Sequence, residues 1–232
     1  GTLDTTFGDN GIKTQDSGSS IDDYGRAVAV QSDGKIVVAG NAGGNVFLMR
    51  FDGTTGDPDT SFGTNGVVID PINGAEAIYD LAIQEDGKYL VAGSTTPSPT
   101  QFLVARYSAD GGRDTTGFNA GVTPGYIAFN FPDVGSTNDV AYGLALQPDG
   151  KIVVAGTSDL VTQKNIALAR LDTDGTLDPT FAGDGAMNYT IAGNTSQGRA
   201  VALQSDGRIL VGGFFDNSGN NEGDDSLLVR FN

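Results

Sequence analysis

Arg26, Tyr79, Tyr142 and Arg199 occupy one register of a recurring segment, each five positions before a glutamine: Gln31, Gln84, Gln147 or Gln204. Two guanidiniums and two phenols gathered at one place would hold a carboxylate, a sulfate or a sugar ring, by paired hydrogen bonds and by stacking. The plainer alternative is a polar plug, with the arginines paired to Asp22, Asp23 or Asp80. A second set is Arg50, Arg106, Arg170 and Arg230, each closing an apolar run. An aspartate follows each one: Asp59, Asp114, Asp178 and, if the chain closes on itself, Asp4. One Arg–Asp pair per unit reads as a structural fastening rather than a ligand site. A third set is acidic. Asp172, Asp174 and Asp178 have oxygen-ligand spacing, and Asp216, Glu222, Asp224 and Asp225 crowd one segment. Calcium is the cation either group would take, though neither matches an EF-hand loop. Solvated turn acids are the alternative.

Composition removes most other chemistry. The 232 residues include no His and no Cys, so there is no Ser-His-Asp triad, zinc site, thiol nucleophile or disulfide framework. Lys and Arg total 13 against 29 Asp and Glu, a net charge of −16. Bulk charge therefore argues against nucleic acid and anionic membranes as partners. No apolar run reaches the roughly 18 residues of a membrane-spanning helix. No phosphate loop or dinucleotide fingerprint is present. The expectation is that the chain is not an enzyme, with a lyase or hydrolase as the remote alternative. An acid excess without cysteine suits an extracellular or cell-surface bacterial protein, or one from a saline setting, with an acidic cytosolic protein as the plainer alternative.

The elements that must position these residues come from a repeat. Ala29-Val30-Gln31-Ser32-Asp33-Gly34-Lys35-Ile36-Val37-Val38-Ala39-Gly40 returns at Ala82–Gly93, Ala145–Gly156 and Ala202–Gly213. Leu3-Asp4-Thr5-Thr6-Phe7-Gly8 returns at Pro58–Gly63 and Leu177–Ala182, with a degraded copy from Arg113. Alternating β-branched residues and the Asp-Gly turns predict four short strands per unit, a to d, and no helix. The units run about 1–55, 56–111, 112–174 and 175–232 within a single domain. Four-stranded units at this period predict an all-β propeller of four four-stranded blades.

These motifs resemble the bacterial delta-60 repeat β-propeller family, over essentially the whole chain. That resemblance implies a propeller in secreted or surface proteins, often as a module of a longer chain, and implies no reaction. The third unit departs most, with Phe118 shifted and a longer stretch from Gly121 to Phe131.

The chain ends on a strand c and begins in the loop that normally follows one. The segment Gly11 to Gln15 is thus expected to close the last blade as its strand d, with Arg230 meeting Asp4. Two other assemblies fit the pattern, an eight-bladed ring of two chains and a filament propagated by the 11–15 strand. The a–b turns and c–d loops should share one face that is nearly identical in every unit. The b–c and d–a loops should share an opposite face that varies. The variable face, or the axial channel beside it, is the expected place for a protein or glycan partner. The expected role is a non-catalytic binding or display module, with a self-assembling structural protein as the alternative.

Overall fold

The computed structural model describes all residues except 20–21, 97–98, 132–135, 161–162, 192–194 and 217–223. Every regular element among the described residues is a β-strand. Blade 1 holds β1 (Asp23–Val30), β2 (Ile36–Ala42), β3 (Asn45–Phe51) and β4 (Val67–Asp70). Blade 2 holds β5 (Glu76–Ile83), β6 (Tyr89–Thr95), β7 (Gln101–Tyr107) and β8 (Tyr126–Phe129). Blade 3 holds β9 (Ser136–Leu146), β10 (Ile152–Leu160), β11 (Lys164–Leu171) and β12 (Ala186–Tyr189). Blade 4 holds β13 (Ser196–Leu203), β14 (Ile209–Asp216) and β15 (Asp224–Phe231). Each is an antiparallel sheet in simple up-and-down order.

The Asp-Gly turns behave as the sequence requires. Gly34, Gly87, Gly150 and Gly207 all take φ between 81° and 87°, where a side chain would be strained. In the first, the Gly34 amide donates to the Gln31 carbonyl at 2.9 Å, and the Gln31 amide donates to the Lys35 carbonyl at 2.8 Å. This is a three-residue hairpin loop with its left-handed residue last.

The core lies between blades. Alternation sends one side of each strand toward the preceding blade and the other toward the next. Val37, Ala39, Leu48 and Phe62 of blade 1 meet Tyr89, Val91, Leu103 and Tyr107 of blade 2. Leu90, Phe102 and Phe118 of blade 2 meet Ile152, Val154 and Leu171 of blade 3. Ile166, Leu168 and Phe181 of blade 3 meet Ile209 and Val211 of blade 4. The inner strands pack in the order β1, β5, β9, β13.

Two expectations need correction. The last blade is not closed by the N-terminal strand: among the described residues blade 4 has three strands, and residues 11–15 form no ladder with β15. The N-terminal segment instead lies on blade 1. The Gly8 amide donates to the Thr55 carbonyl at 2.9 Å, Lys13 Nζ meets Asp57 at 3.1 Å, and the Phe7 ring lies on Gly56. Side-chain packing supplied by blade 1 therefore takes precedence over edge pairing with blade 4. For the same reason Arg230 does not meet Asp4: it is exposed, and among the described residues it forms no ion pair. Blade 1 and blade 4 leave outward faces with Val28 and Val30 each 67% exposed and Leu228 70% exposed.

Candidate functional site

Every inner strand carries an extra residue at the same repeat position relative to its partner. The pairing skips Arg26 between Gly25 and Ala27, Tyr79 between Ile78 and Asp80, Tyr142 between Ala141 and Gly143, and Arg199 between Gly198 and Ala200. All four members of the Arg–Tyr–Tyr–Arg register are thus bulge residues. A bulge re-aims its side chain and raises the local twist. Opposite each bulge stands a glycine: Gly40, Gly93, Gly156 or Gly213. A Cβ there would fall 1.8–2.0 Å from a carbonyl oxygen of the bulged strand, that of Tyr24, Ala77, Val140 or Gln197. The glycine of the Ala-Gly motif exists to let the bulge form.

The bulges bring the four side chains into one row. The Arg26 guanidinium lies 5.2 Å from the Tyr79 ring centroid. The Tyr79 and Tyr142 rings are 4.8 Å apart at 56°. The Arg199 guanidinium lies 4.0 Å from the Tyr142 centroid. Tyr24 and Phe214 extend the ends, at 5.6 Å from Arg26 and 5.4 Å from Arg199. The two arginines are exposed and the two tyrosines half-buried.

The plug alternative required carboxylates on these arginines, and the described residues offer none. Asp22 accepts from the Tyr24 hydroxyl at 3.2 Å. Asp23 accepts from the Ser17 amide and hydroxyl at 2.9 and 2.7 Å. Asp80 accepts from the amides of Leu144 and Leu81 at 2.7 and 2.8 Å, and burial raises its pKa. In a chain of net charge −16, every Lys and Arg but Arg26, Arg199 and Arg230 forms an ion pair among the described residues.

The strand-c arginines behave as fasteners, with a reach the spacing did not reveal. Arg50 Nε meets Asp59 at 2.8 Å, Arg106 Nε meets Asp114 at 3.0 Å, and Arg170 Nε meets Asp178 at 2.6 Å. Each guanidinium also covers the phenylalanine of its loop, Phe62, Phe118 or Phe181, at 4.6–5.0 Å. Two of them cross to the next blade. Arg50 donates to the Ala109 carbonyl at 2.7 Å, and Arg106 to the Thr173 carbonyl at 2.6 Å.

The acidic sets have partners of their own or stand on paired strands. Asp172 and Asp178 both receive Lys151, at 2.7 and 2.9 Å, and Asp174 caps its own turn through Thr176 at 2.7 and 3.0 Å. Asp216 and Asp224 face each other across β14 and β15, with Asp225 opposite Phe215. Glu222 lies outside the described residues. No group of three acids among the described residues is arranged to hold a metal.

A further register, acidic in three of the four blades, escapes the sequence reading except for Asp23. Three residues before each bulge residue stand Asp23, Glu76, Asp139 and Ser196. Asp139 accepts from the Phe131 amide at 3.0 Å, and Glu76 from the Asn73 amide at 2.8 Å. These carboxylates pin the d–a loops to the inner strands, beside the row. Burial raises the Glu76 pKa, and its Oε2 is buried without a partner. The signal in the sequence is an acid at that offset in three of the four units.

A cleft of 590 Å³ lies elsewhere, between the Asp-Gly turns of blades 2 and 3 beside Gln84 and Gln147. Equivalent clefts of 340 and 370 Å³ recur at the other two junctions. A cleft repeated at every junction follows from how blades stack, whereas the Arg–Tyr–Tyr–Arg row is specific to each blade.

A family model described as "Domain of unknown function (DUF5122) beta-propeller" matches residues 31–62, 84–116, 147–181 and 204–232, more than half of the chain. None of the curated proteins matches. Two of the solved structures that are similar are a glycoside hydrolase and an ulvan lyase. The first is 9% identical with a TM-score of 0.51, covering 89% of this chain and 46% of its own. The second, a PL25 polysaccharide lyase bound to -[GlcA(1-4)Rha3S]-, is 11% identical with a TM-score of 0.55, covering 94% and 58%. The chain thus spans about half the length of these proteins, and the likeness is one of fold. The expectation that the chain is not an enzyme is overturned by these neighbours. It rested on the missing His and Cys, yet carboxylates and tyrosines, which this chain has, suffice for acid–base chemistry on sugars.

Proposed function

Because the chain belongs to the DUF5122 β-propeller family, whose function is unassigned, we propose a role from the site itself: the Arg26–Tyr79–Tyr142–Arg199 row binds an acidic saccharide. The observation that carries the reading is the row, four bulged residues from four blades in one stack, ended by two arginines that no described carboxylate neutralises. Tyrosine faces take the apolar face of a pyranose ring. Guanidiniums take a uronate carboxylate or a sulfate in paired hydrogen bonds. A net negative chain repels such a ligand everywhere except where positive charge is left exposed. The ulvan lyase that shares the fold is described with a glucuronate–sulfated rhamnose ligand. That likeness carries the fold alone, and the proposal stands on the row. An extracellular setting and the delta-60 resemblance belong to the same reading.

Calorimetric titration with uronate-containing and sulfated oligosaccharides tests it, with neutral oligosaccharides of equal length as the comparison. Acidic ligands should bind and neutral ones should bind at least tenfold more weakly. Arg26→Ala and Arg199→Ala should each remove most of that preference. Equal binding of both classes, or a preference that survives both substitutions, overturns the reading.

A further inference from the structure

We propose that the Arg26–Tyr79–Tyr142–Arg199 row is catalytic and cleaves 4-linked uronides by β-elimination, with the two tyrosine hydroxyls moving the protons. The inference rests on the reading of the row as an acidic-saccharide site and adds a reaction to it.

The hydroxyls are the starting point. Tyr24, Tyr89 and Tyr107 each place the phenol on a partner: Asp22 at 3.2 Å, the Ala109 carbonyl at 3.3 Å and Asp70 at 2.9 Å. The hydroxyls of Tyr79 and Tyr142 have no such partner among the described residues, and neither is a buried polar atom, so both open to solvent. They hold nothing in the fold together and are available to a ligand.

The reaction follows from what surrounds them. Hydrolysis of a glycoside takes two carboxylates facing one bond, roughly 5 to 9.5 Å apart. The inner strands carry Asp23, Glu76, Asp80 and Asp139, and each is engaged elsewhere. The amides of Ser17, Asn73, Leu144 and Phe131 donate to them in that order, and Glu76 and Asp139 are buried as well. The row itself offers two phenols for proton transfer and two guanidiniums for charge. That set matches elimination from a uronide. The carbon beside a carboxylate gives up its proton when the carboxylate's charge is neutralised, which a guanidinium does through paired hydrogen bonds. A neutral sugar has no such proton, so the reaction is confined to the class of ligand that the arginines select.

The spacing orders the roles. Arg199 lies 4.0 Å from the Tyr142 centroid, closer than the 5.2 Å between Arg26 and Tyr79. The Gln197 Oε1 accepts from one amino group of Arg199 at 2.7 Å, which fixes the guanidinium and leaves its other donors to the ligand. A carboxylate on Arg199 sets C5, one bond away, beside Tyr142. O4, on the neighbouring carbon, then falls toward Tyr79, whose ring is 4.8 Å from that of Tyr142. The Tyr142 oxygen, having given its own proton to solvent, takes the proton from C5. The C5–H electron pair becomes the C4=C5 double bond. The C4–O4 bond breaks, and its pair leaves on O4, which takes the proton of the Tyr79 hydroxyl. Exchange with solvent restores both phenols, and no oxidant or co-reactant is consumed.

The full chain is incubated with oligogalacturonate, oligomannuronate and oligoglucuronate, all 4-linked, and with cello-oligosaccharide as the neutral comparison. Ultraviolet absorbance follows the conjugated double bond, mass spectrometry weighs the products, and calorimetry gives affinity. At least one uronide should yield an unsaturated product whose mass shows no added water, and the neutral oligosaccharide should yield none. Tyr79→Phe and Tyr142→Phe should each lower turnover by at least about a hundredfold. Both should keep affinity within about threefold of wild type, which also reports that they fold. Binding without unsaturated product overturns the reaction and leaves the binding reading standing. Products that have gained water, or turnover that survives both substitutions, overturn it too. Absence of binding to every uronide overturns both readings.

Discussion

The guanidinium of Arg199 lies 4.0 Å from the ring centroid of Tyr142, although the two residues belong to different blades. Neither is adjacent to the other in any strand pair. They meet because each is the unpaired residue of its own bulge, so both side chains turn out of their sheets toward the same axis. The stack is then continued by Tyr79 and Arg26 from two further blades.

Replacing Tyr142 separates the row from the sheet. Tyr142→Ala removes the ring that both Tyr79 and Arg199 touch, and affinity for an acidic oligosaccharide should fall about tenfold, or about 1.4 kcal/mol. Tyr142→Phe keeps the stack and should stay within about threefold of wild type. Calorimetry distinguishes the two. A loss of equal size in Tyr142→Phe would move the role from the ring to the phenol.

The bulge glycines should be intolerant of any side chain. A Cβ on Gly156 would lie 1.9 Å from the Val140 carbonyl oxygen and 2.9 Å from the Phe102 ring. Neither can move without opening the blade 2–3 core, so Gly156→Ala should cost about 3 kcal/mol or more. Gly212 is the control. It too lies in a strand b, but a Cβ there meets nothing within 4 Å, and Ala39, Ala92 and Ala155 hold its position in the other blades. Gly212→Ala should be neutral or stabilise by about 0.5 kcal/mol. Urea unfolding of both variants checks the contrast.

Sequence alone carried the strand pattern far. The Asp-Gly turns, the alternation in Val37–Gly40 and its copies, and three of the four Arg–Asp pairs follow from local spacing. It also placed Arg26, Tyr79, Tyr142 and Arg199 in one register. What it did not carry is what lies between blades. The bulges shift register by one residue, and alternation is blind to that except through the opposing glycine. The reach of Arg50 to Ala109 and of Arg106 to Thr173 depends on the angle between sheets. The seating of residues 7–13 on blade 1 and not on β15 likewise rests on contacts that local spacing does not show, Gly8 with Thr55, Lys13 with Asp57 and Phe7 with Gly56.

Arg106 should be among the most sensitive surface-proximal positions. Its side chain is 7% exposed, and its guanidinium holds Asp114 and the Gly117 carbonyl and crosses to Thr173 of blade 3. Arg106→Ala leaves a buried carboxylate unpaired and should destabilise by about 3 kcal/mol. Arg106→Lys keeps one charge but cannot fork to three acceptors, and should recover less than half of the loss. Lys164, paired with Asp159 in the open at 3.4 Å, should cost under about 0.5 kcal/mol when changed to Ala.

Acid and base limbs of the stability curve should trace to different carboxylates. The hydroxyl of Ser61 holds the Asp59 pKa far below the usual carboxylate range, and Lys151 does the same for Asp178. Their contribution is present above the unfolded pKa near 4 and is lost as pH falls toward the folded value. Glu76 runs the other way. Burial raises its pKa, so the folded protein keeps that proton to a higher pH than the unfolded chain does. Its contribution is present below the unfolded pKa near 4.3 and is lost as pH rises through the folded value. Glu76→Gln keeps an acceptor for the Asn73 amide and for the Thr95 hydroxyl, at 2.8 and 3.3 Å in the wild type, and abolishes the charge. The variant should be more stable than wild type at pH 7, with the gap narrowing steadily toward pH 3. Thermal melts across that range decide it. A gap independent of pH would mean that the buried, unpartnered Oε2 acts through packing and not through its proton.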